Sequence, residues 1–186
     1  MDSTVWDVAA PFCEAVREIT GNRPDPESMF TWTNVLETYG EVVTMEIYDR
    51  VMGPARIRER ELYPGSAEVL RHLQEEPGLI VHFVTRNHDS GLTRRHLWPW
   101  LKERFGPDVG LTVTAGDKVE VLREIGAFGL VDDHPETLIE VSEAGLFAAA
   151  KIQPWNRKVV EERPDVFGFD DWRELPALLP AFTEGS

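Results

Sequence analysis

The sequence predicts an α/β fold, a doubly wound parallel sheet with a small helical cap insert, on three observations. Apolar, β-branched runs at 79–85 (LIVHFVT), 109–114 (VGLTVT), 128–133 (FGLVDD) and 146–152 (LFAAAKI) alternate with amphipathic stretches. These runs are apolar on both faces, as buried parallel strands covered by helices must be. Polar residues gather where the runs stop, which is where such sheets bind ligands.

Residues 7–20 place Val8, Phe12, Ala15, Val16 and Ile19 on one helical face, and Gly21 ends that helix. The stretch 22–61 opens with the breaker cluster NRPDPES and continues in short helical pieces such as GEVVTMEIYDRVM. It reads as the insert, 22–61, leaving 1–21 and 62–186 as the core. Pro64 stands at a helix start, with Ala67, Leu70 and Leu73 turned inward. The segment 90–106 is helical in pattern, with Pro99 expected to kink or interrupt it. Amphipathic helices follow at 117–127 and 134–145, and the tail FDDWRELPALLPAF closes with a short helix.

A net charge of −14 sets a repulsive field against nucleic-acid polymers and anionic membranes. A small phosphorylated metabolite is still admissible, because a local cation and Lys or Arg reverse the field at one site. No apolar run is long enough to span a bilayer, and the N-terminus lacks the pattern of a signal peptide. Cys13 is the single cysteine, so a reducing cytoplasm is the expected compartment.

Four polar clusters fall at the expected catalytic edge: Asp2-Ser3-Thr4 before the first helix, Thr85-Arg86-Asn87, Lys118, and Asp132-Asp133. Taken singly, each suits a turn, a cap or a solvated charge. Taken together, they suit a phosphate monoester. Its oxygens need a hydroxyl and a cation, here Thr85 and Lys118. A divalent metal such as Mg²⁺ needs hard carboxylate oxygens, here Asp132 and Asp133. Asp2 would be the acid and base. Phe30 and Trp32, in the insert, suit either stacking on a flat group or packing the insert. Trp98, Trp100 and Trp155 are assigned to packing.

The order of these clusters resembles the four motifs of the haloacid dehalogenase (HAD) superfamily: DxDG(T/V), a strand-terminal Thr or Ser, a Lys and an acidic pair. LVDDHPET, IQPWNR and WLKERFG further resemble segments of the 5′(3′)-deoxyribonucleotidases. The resemblance implies a Mg²⁺-dependent phosphomonoester hydrolase acting on a nucleoside monophosphate through an aspartyl-phosphate. A general sugar or metabolite phosphatase is the alternative substrate class. The resemblance also implies that Asp2 acts as acid and base and offers its carbonyl to the metal. Thr85 and Lys118 would hold the phosphoryl oxygens, with Thr4 beside the substrate, while Arg86 and Asn87 suit either substrate contact or the capping of a turn. The insert would form a cap carrying Phe30 and Trp32.

In this register Ser3 takes the motif's Gly position and Thr4 its Thr position. Asp2 is then the second aspartate, and the nucleophile would lie two residues before it, upstream of Met1. The expectation is that Met1 is internal to a longer chain, preceded by an apolar strand central to the sheet, and that the chain as written turns over little. A second register makes Asp2 the nucleophile and Thr4 the occupant of the acid position, as in P-type ATPases. Two further readings stay open: a non-catalytic phosphate-binding module, and a receiver-like phosphoacceptor domain, which the helical insert disfavours.

Overall fold

Among the described residues, five short strands, parallel wherever they pair, carry the site. The computed structural model describes residues 3–25, 32–53, 56, 59–86 and 90–180. The strands are β1 (His82–Arg86), β2 (Gly110–Thr114), β3 (Gly129–Asp132), β4 (Phe147–Lys151) and β5 (Val166–Phe169). The helices are α1 (Ala9–Thr20), α2 (Trp32–Met52), α3 (Ser66–Glu75), α4 (Ser90–Phe105), α5 (Lys118–Glu124), α6 (Pro135–Glu143), α7 (Arg157–Glu162) and α8 (Leu175–Leu178). Parallel neighbours need a crossover. Here α4 connects β1 to β2, while α6 and α7 connect β3, β4 and β5 in turn.

The fold is mixed α/β with two small parallel sheets, β1–β2 and β3–β4–β5. Thr85 pairs with Val113 in the first, and Asp132 with Ala150 in the second. Among the described residues no ladder joins β1 to β3. The two sheets nevertheless share a core, in which Phe83 and Leu111 meet Ala149 and Phe169 with Trp6, Leu97, Trp100 and Leu101. Burying that shared apolar surface is the main force holding them together. A second core, of Val119, Leu122, Leu138 and Val141, covers Ala148, Ala150 and Val166 from the other face. Small side chains along β4 let both layers approach, and Ala148, Ala149 and Ala150 are fully buried.

Strand β1 begins at His82 rather than at Leu79. Its partner starts only at Gly110, so the residues before Val81 have no ladder to join, and Ile80 is 78 % exposed. Helix α4 runs unbroken through Pro99, against expectation. Pro99 lies on the exposed side, where solvent can serve the carbonyl left without an N–H donor. The expected helical pieces of the insert correspond to α2, broken at Gly40 (φ 76°, ψ 168°), a conformation that favours glycine. Helix α1 packs on α2, with Phe12, Ala15 and Val16 against Val35, Ile47 and Val51. Where the chain leaves and returns, Trp6 bridges Leu62, Tyr63 N–H donates to Val5 O, and Asp7 N–H donates to Glu61 O. Strand β5 and helix α7 have no counterpart in the sequence reading. No helix among the described residues is long and apolar enough to cross a membrane.

Candidate functional site

The site is built at the carboxyl ends of the strands, starting from the turn after β3. Asp132 closes that strand and is 3 % exposed. Its Oδ1 accepts the backbone N–H groups of Asp133 (2.8 Å) and His134 (3.1 Å), which folds the turn into α6. Pro135 at the first helical position suits a site where an N–H would go unpaired. Asp132 Oδ2 takes the ammonium of Lys118 at 2.6 Å. Lys118 opens α5 behind Asp117, whose carboxylate accepts Val119 N–H at 2.7 Å as an N-cap. The lysine is 8 % exposed, so this is a buried ion pair.

The N-terminal loop meets this turn from the other side. Thr4 Oγ1 donates to Asp133 Oδ1 at 2.8 Å, and Thr4 is 1 % exposed. Ser3 adopts φ 54°, a left-handed conformation that residues other than glycine seldom take. The loop is fastened through its carbonyls: Ser3 O accepts Gln153 Nε2 (2.7 Å), Thr4 O accepts Trp172 Nε1 (3.1 Å), and Val5 O accepts Ser66 Oγ (3.3 Å). Gln153 Nε2 also donates to the Tyr63 hydroxyl at 2.9 Å.

The two adjacent carboxyl groups differ in acidity. Burial alone would raise the Asp132 carboxyl, but the Lys118 ammonium more than offsets it and holds this acid well below the carboxylate range. Burial first, then the neighbouring Asp132 charge, push Asp133 up to about 7. His134 is pushed down, chiefly by burial.

Of the residues singled out from sequence, Thr4, Lys118, Asp132 and Asp133 are joined by direct contacts. Thr85 is 6 % exposed near the end of β1 and makes no hydrogen bond to the acidic pair or to Lys118. Arg86 is exposed at the end of β1. Asp2, Phe30 and Asn87 lie outside the described residues, as does the side chain of Trp32, whose backbone begins α2. Trp155 departs from its packing assignment: its Nε1 donates to Asp133 O and Oδ2, both at 3.2 Å. Sequence reading assigned no role to Gln153 or Asn156, which hold the loop between β4 and α7 against both Ser3 and Asp133. The available signal was the resemblance of IQPWNR to a deoxyribonucleotidase segment, which did not say whether these residues reach the site.

The donor set suits a hard divalent cation. Each carboxylate oxygen has two lone pairs. Asp132 Oδ2 and both oxygens of Asp133 accept one bond each, so each retains a lone pair. Among the described residues no group of three or more His, Cys, Asp or Glu side chains encloses a metal site. Through these remaining lone pairs the acidic pair could hold a hard cation, with water or substrate oxygens completing its shell. No protein-family model and no curated protein matches the chain.

Proposed function

We propose that this protein is a Mg²⁺-dependent phosphomonoester-binding domain with the chemistry of the HAD-type phosphatases. The observation that carries this reading is the contact chain Thr4–Asp133–Asp132–Lys118. It joins residues from three of the four motif positions in one cluster, with Thr4, Lys118 and Asp132 buried and Asp133 half-buried. A further support is the left-handed Ser3, which stands where the motif has glycine. This favours the register in which Asp2 is the acid and base. The doubly wound single sheet of that superfamily belongs to the same proposal.

Asp132 and Asp133 would hold Mg²⁺, together with Asp2 on the family resemblance. The ion neutralises charge on phosphoryl oxygens when bound. Lys118 holds Asp132 ionised and keeps its remaining N–H donors for a phosphoryl oxygen. Thr85 offers a hydroxyl from the end of β1. Thr4 orients the Asp133 carboxylate. Asp2 would protonate the leaving alcohol oxygen and then activate water. The chain is expected to bind Mg²⁺ and phosphate. A nucleoside monophosphate is the favoured substrate class, on the resemblance of LVDDHPET and IQPWNR to deoxyribonucleotidase segments. A sugar phosphate is the alternative.

The test is calorimetric titration of the chain with Mg²⁺, then with inorganic phosphate in its presence. Phosphate release from deoxynucleoside monophosphates and sugar phosphates is measured alongside. Mg²⁺-dependent phosphate binding is expected. Absence of both Mg²⁺ binding and phosphate release sinks the proposal. Robust turnover abolished by Asp2→Asn would move the nucleophile to Asp2.

A further inference from the structure

The loop after β4, residues 152–156, holds none of the residues assigned to chemistry from sequence, yet it grips the acidic pair. Asn156 is fully buried. Its Nδ2 donates to Asp133 O at 2.8 Å and to Lys151 O at 3.0 Å, while its Oδ1 accepts Gln153 N–H at 2.8 Å. The amide thus locks the end of β4, its own loop and the Asp133 peptide into one unit. Trp155 Nε1 adds a second donor to Asp133 O and reaches Asp133 Oδ2. With Thr4 on Oδ1, the Asp133 carboxylate is fixed at both oxygens. Loop closure alone would not require donors aimed at a carboxylate on another strand's exit.

We propose that Trp155 and Asn156 are positioning residues for the acidic pair, orienting the Asp133 carboxylate and peptide so that the pair can hold a divalent cation. The inference rests on the reading of Asp132 and Asp133 as a Mg²⁺ site. Groups that orient metal-binding carboxylates through hydrogen bonds commonly change metal affinity by about 10- to 100-fold when removed.

Two variants separate positioning from simple structural support. Trp155→Phe keeps the ring and removes the N–H. Asn156→Asp is close to isosteric and keeps the acceptor for Gln153 N–H, but turns the donor half into an acceptor facing two carbonyls. Each is titrated with Mg²⁺ by calorimetry, melted without metal, and followed by Mg²⁺-induced shifts of the Asp133 and His134 amides in ¹⁵N spectra. The expected result for Trp155→Phe is about tenfold weaker Mg²⁺ binding, with a metal-free melting temperature within a few degrees of the parent. The amide shifts should be smaller or displaced. Asn156→Asp should lose more affinity. If it does not fold, Trp155→Phe decides. Unchanged Mg²⁺ affinity in folded variants overturns the positioning role alone, even if melting temperatures fall. A parent chain that binds no Mg²⁺ overturns this inference together with the function it rests on.

Discussion

Lys118 Nζ lies 2.6 Å from Asp132 Oδ2, both side chains are almost wholly buried, and the pair ties the start of α5 to the end of β3. The cost of removing one partner from such a pair is the cost of a buried charge left alone. Lys118→Met preserves the stem and removes the ammonium. It is expected to destabilise the fold by roughly 3–5 kcal/mol near neutral pH, measured by urea denaturation. Lys118→Met with Asp132→Asn should recover part of that loss, because the uncompensated charge is gone. A double variant no more stable than the single one would contradict this account.

The pH response should be dominated by the contrast between the two acids. Asp133 is raised from 3.8 to about 7 in the folded chain. Between those values the folded state binds more protons than the unfolded one, so stability falls as pH rises through this window. Asp132 acts in the opposite sense: its depressed value stabilises above the unfolded pKa and is lost as pH falls through the acid range. From pH 5 to pH 8 the parent should lose on the order of a few kcal/mol relative to Asp133→Asn. Added Mg²⁺ should make the parent's decline shallower, since a bound cation relieves the repulsion. Equal slopes for parent and variant across pH 5–8 would count against the raised Asp133.

Thr4 supplies one of the donors on Asp133 across a separation of 129 residues. Thr4→Val keeps the shape and deletes the hydroxyl, leaving Asp133 Oδ1 without that donor. Losing one partner of a buried polar pair costs about 1–3 kcal/mol. Thr4→Ser retains the hydroxyl and should recover much of the loss, less the contribution of one methyl. If Val and Ser variants melt alike, the hydroxyl has no role in holding the loop.

Much of this arrangement was legible because burial writes itself into composition. The apolar runs that became β1 to β4 stand out at 79–85, 109–114, 128–133 and 146–152, and the amphipathic helices between them show the 3.6-residue period. The same logic failed for β5. Val166–Phe169 is four residues long, includes Gly168, and follows a stretch broken by Pro154 and Pro164, so no period can emerge. Lys118, Asp132 and Asp133 were visible as polar residues at strand ends. Gln153, Trp155 and Asn156 were visible only as the segment IQPWNR; their contacts were not, because these reach Ser3 and Asp133 across long stretches of chain. Such contacts leave no local pattern. The division of the strands into two ladders likewise depends on edges that no local period encodes.

Ser3 offers a test of the backbone itself. At φ 54° a residue with a Cβ meets its carbonyl environment at a cost that glycine escapes, about 1–2 kcal/mol per residue in this region. Glycine gives back part of that gain through its larger freedom in the unfolded chain, by roughly 0.5–1 kcal/mol. Ser3→Gly should therefore leave the fold as stable as the parent or up to about 1 kcal/mol more stable. Ser3→Val, β-branched and poorly suited to positive φ, should be clearly destabilised. The backbone carbonyl that accepts Gln153 survives in both variants, so the comparison isolates conformation from hydrogen bonding. Denaturation curves that rank Val at or above Gly would show that residue 3 does not hold the left-handed turn in solution. The alignment of Ser3 with the glycine of the phosphatase motif would then lose its structural support.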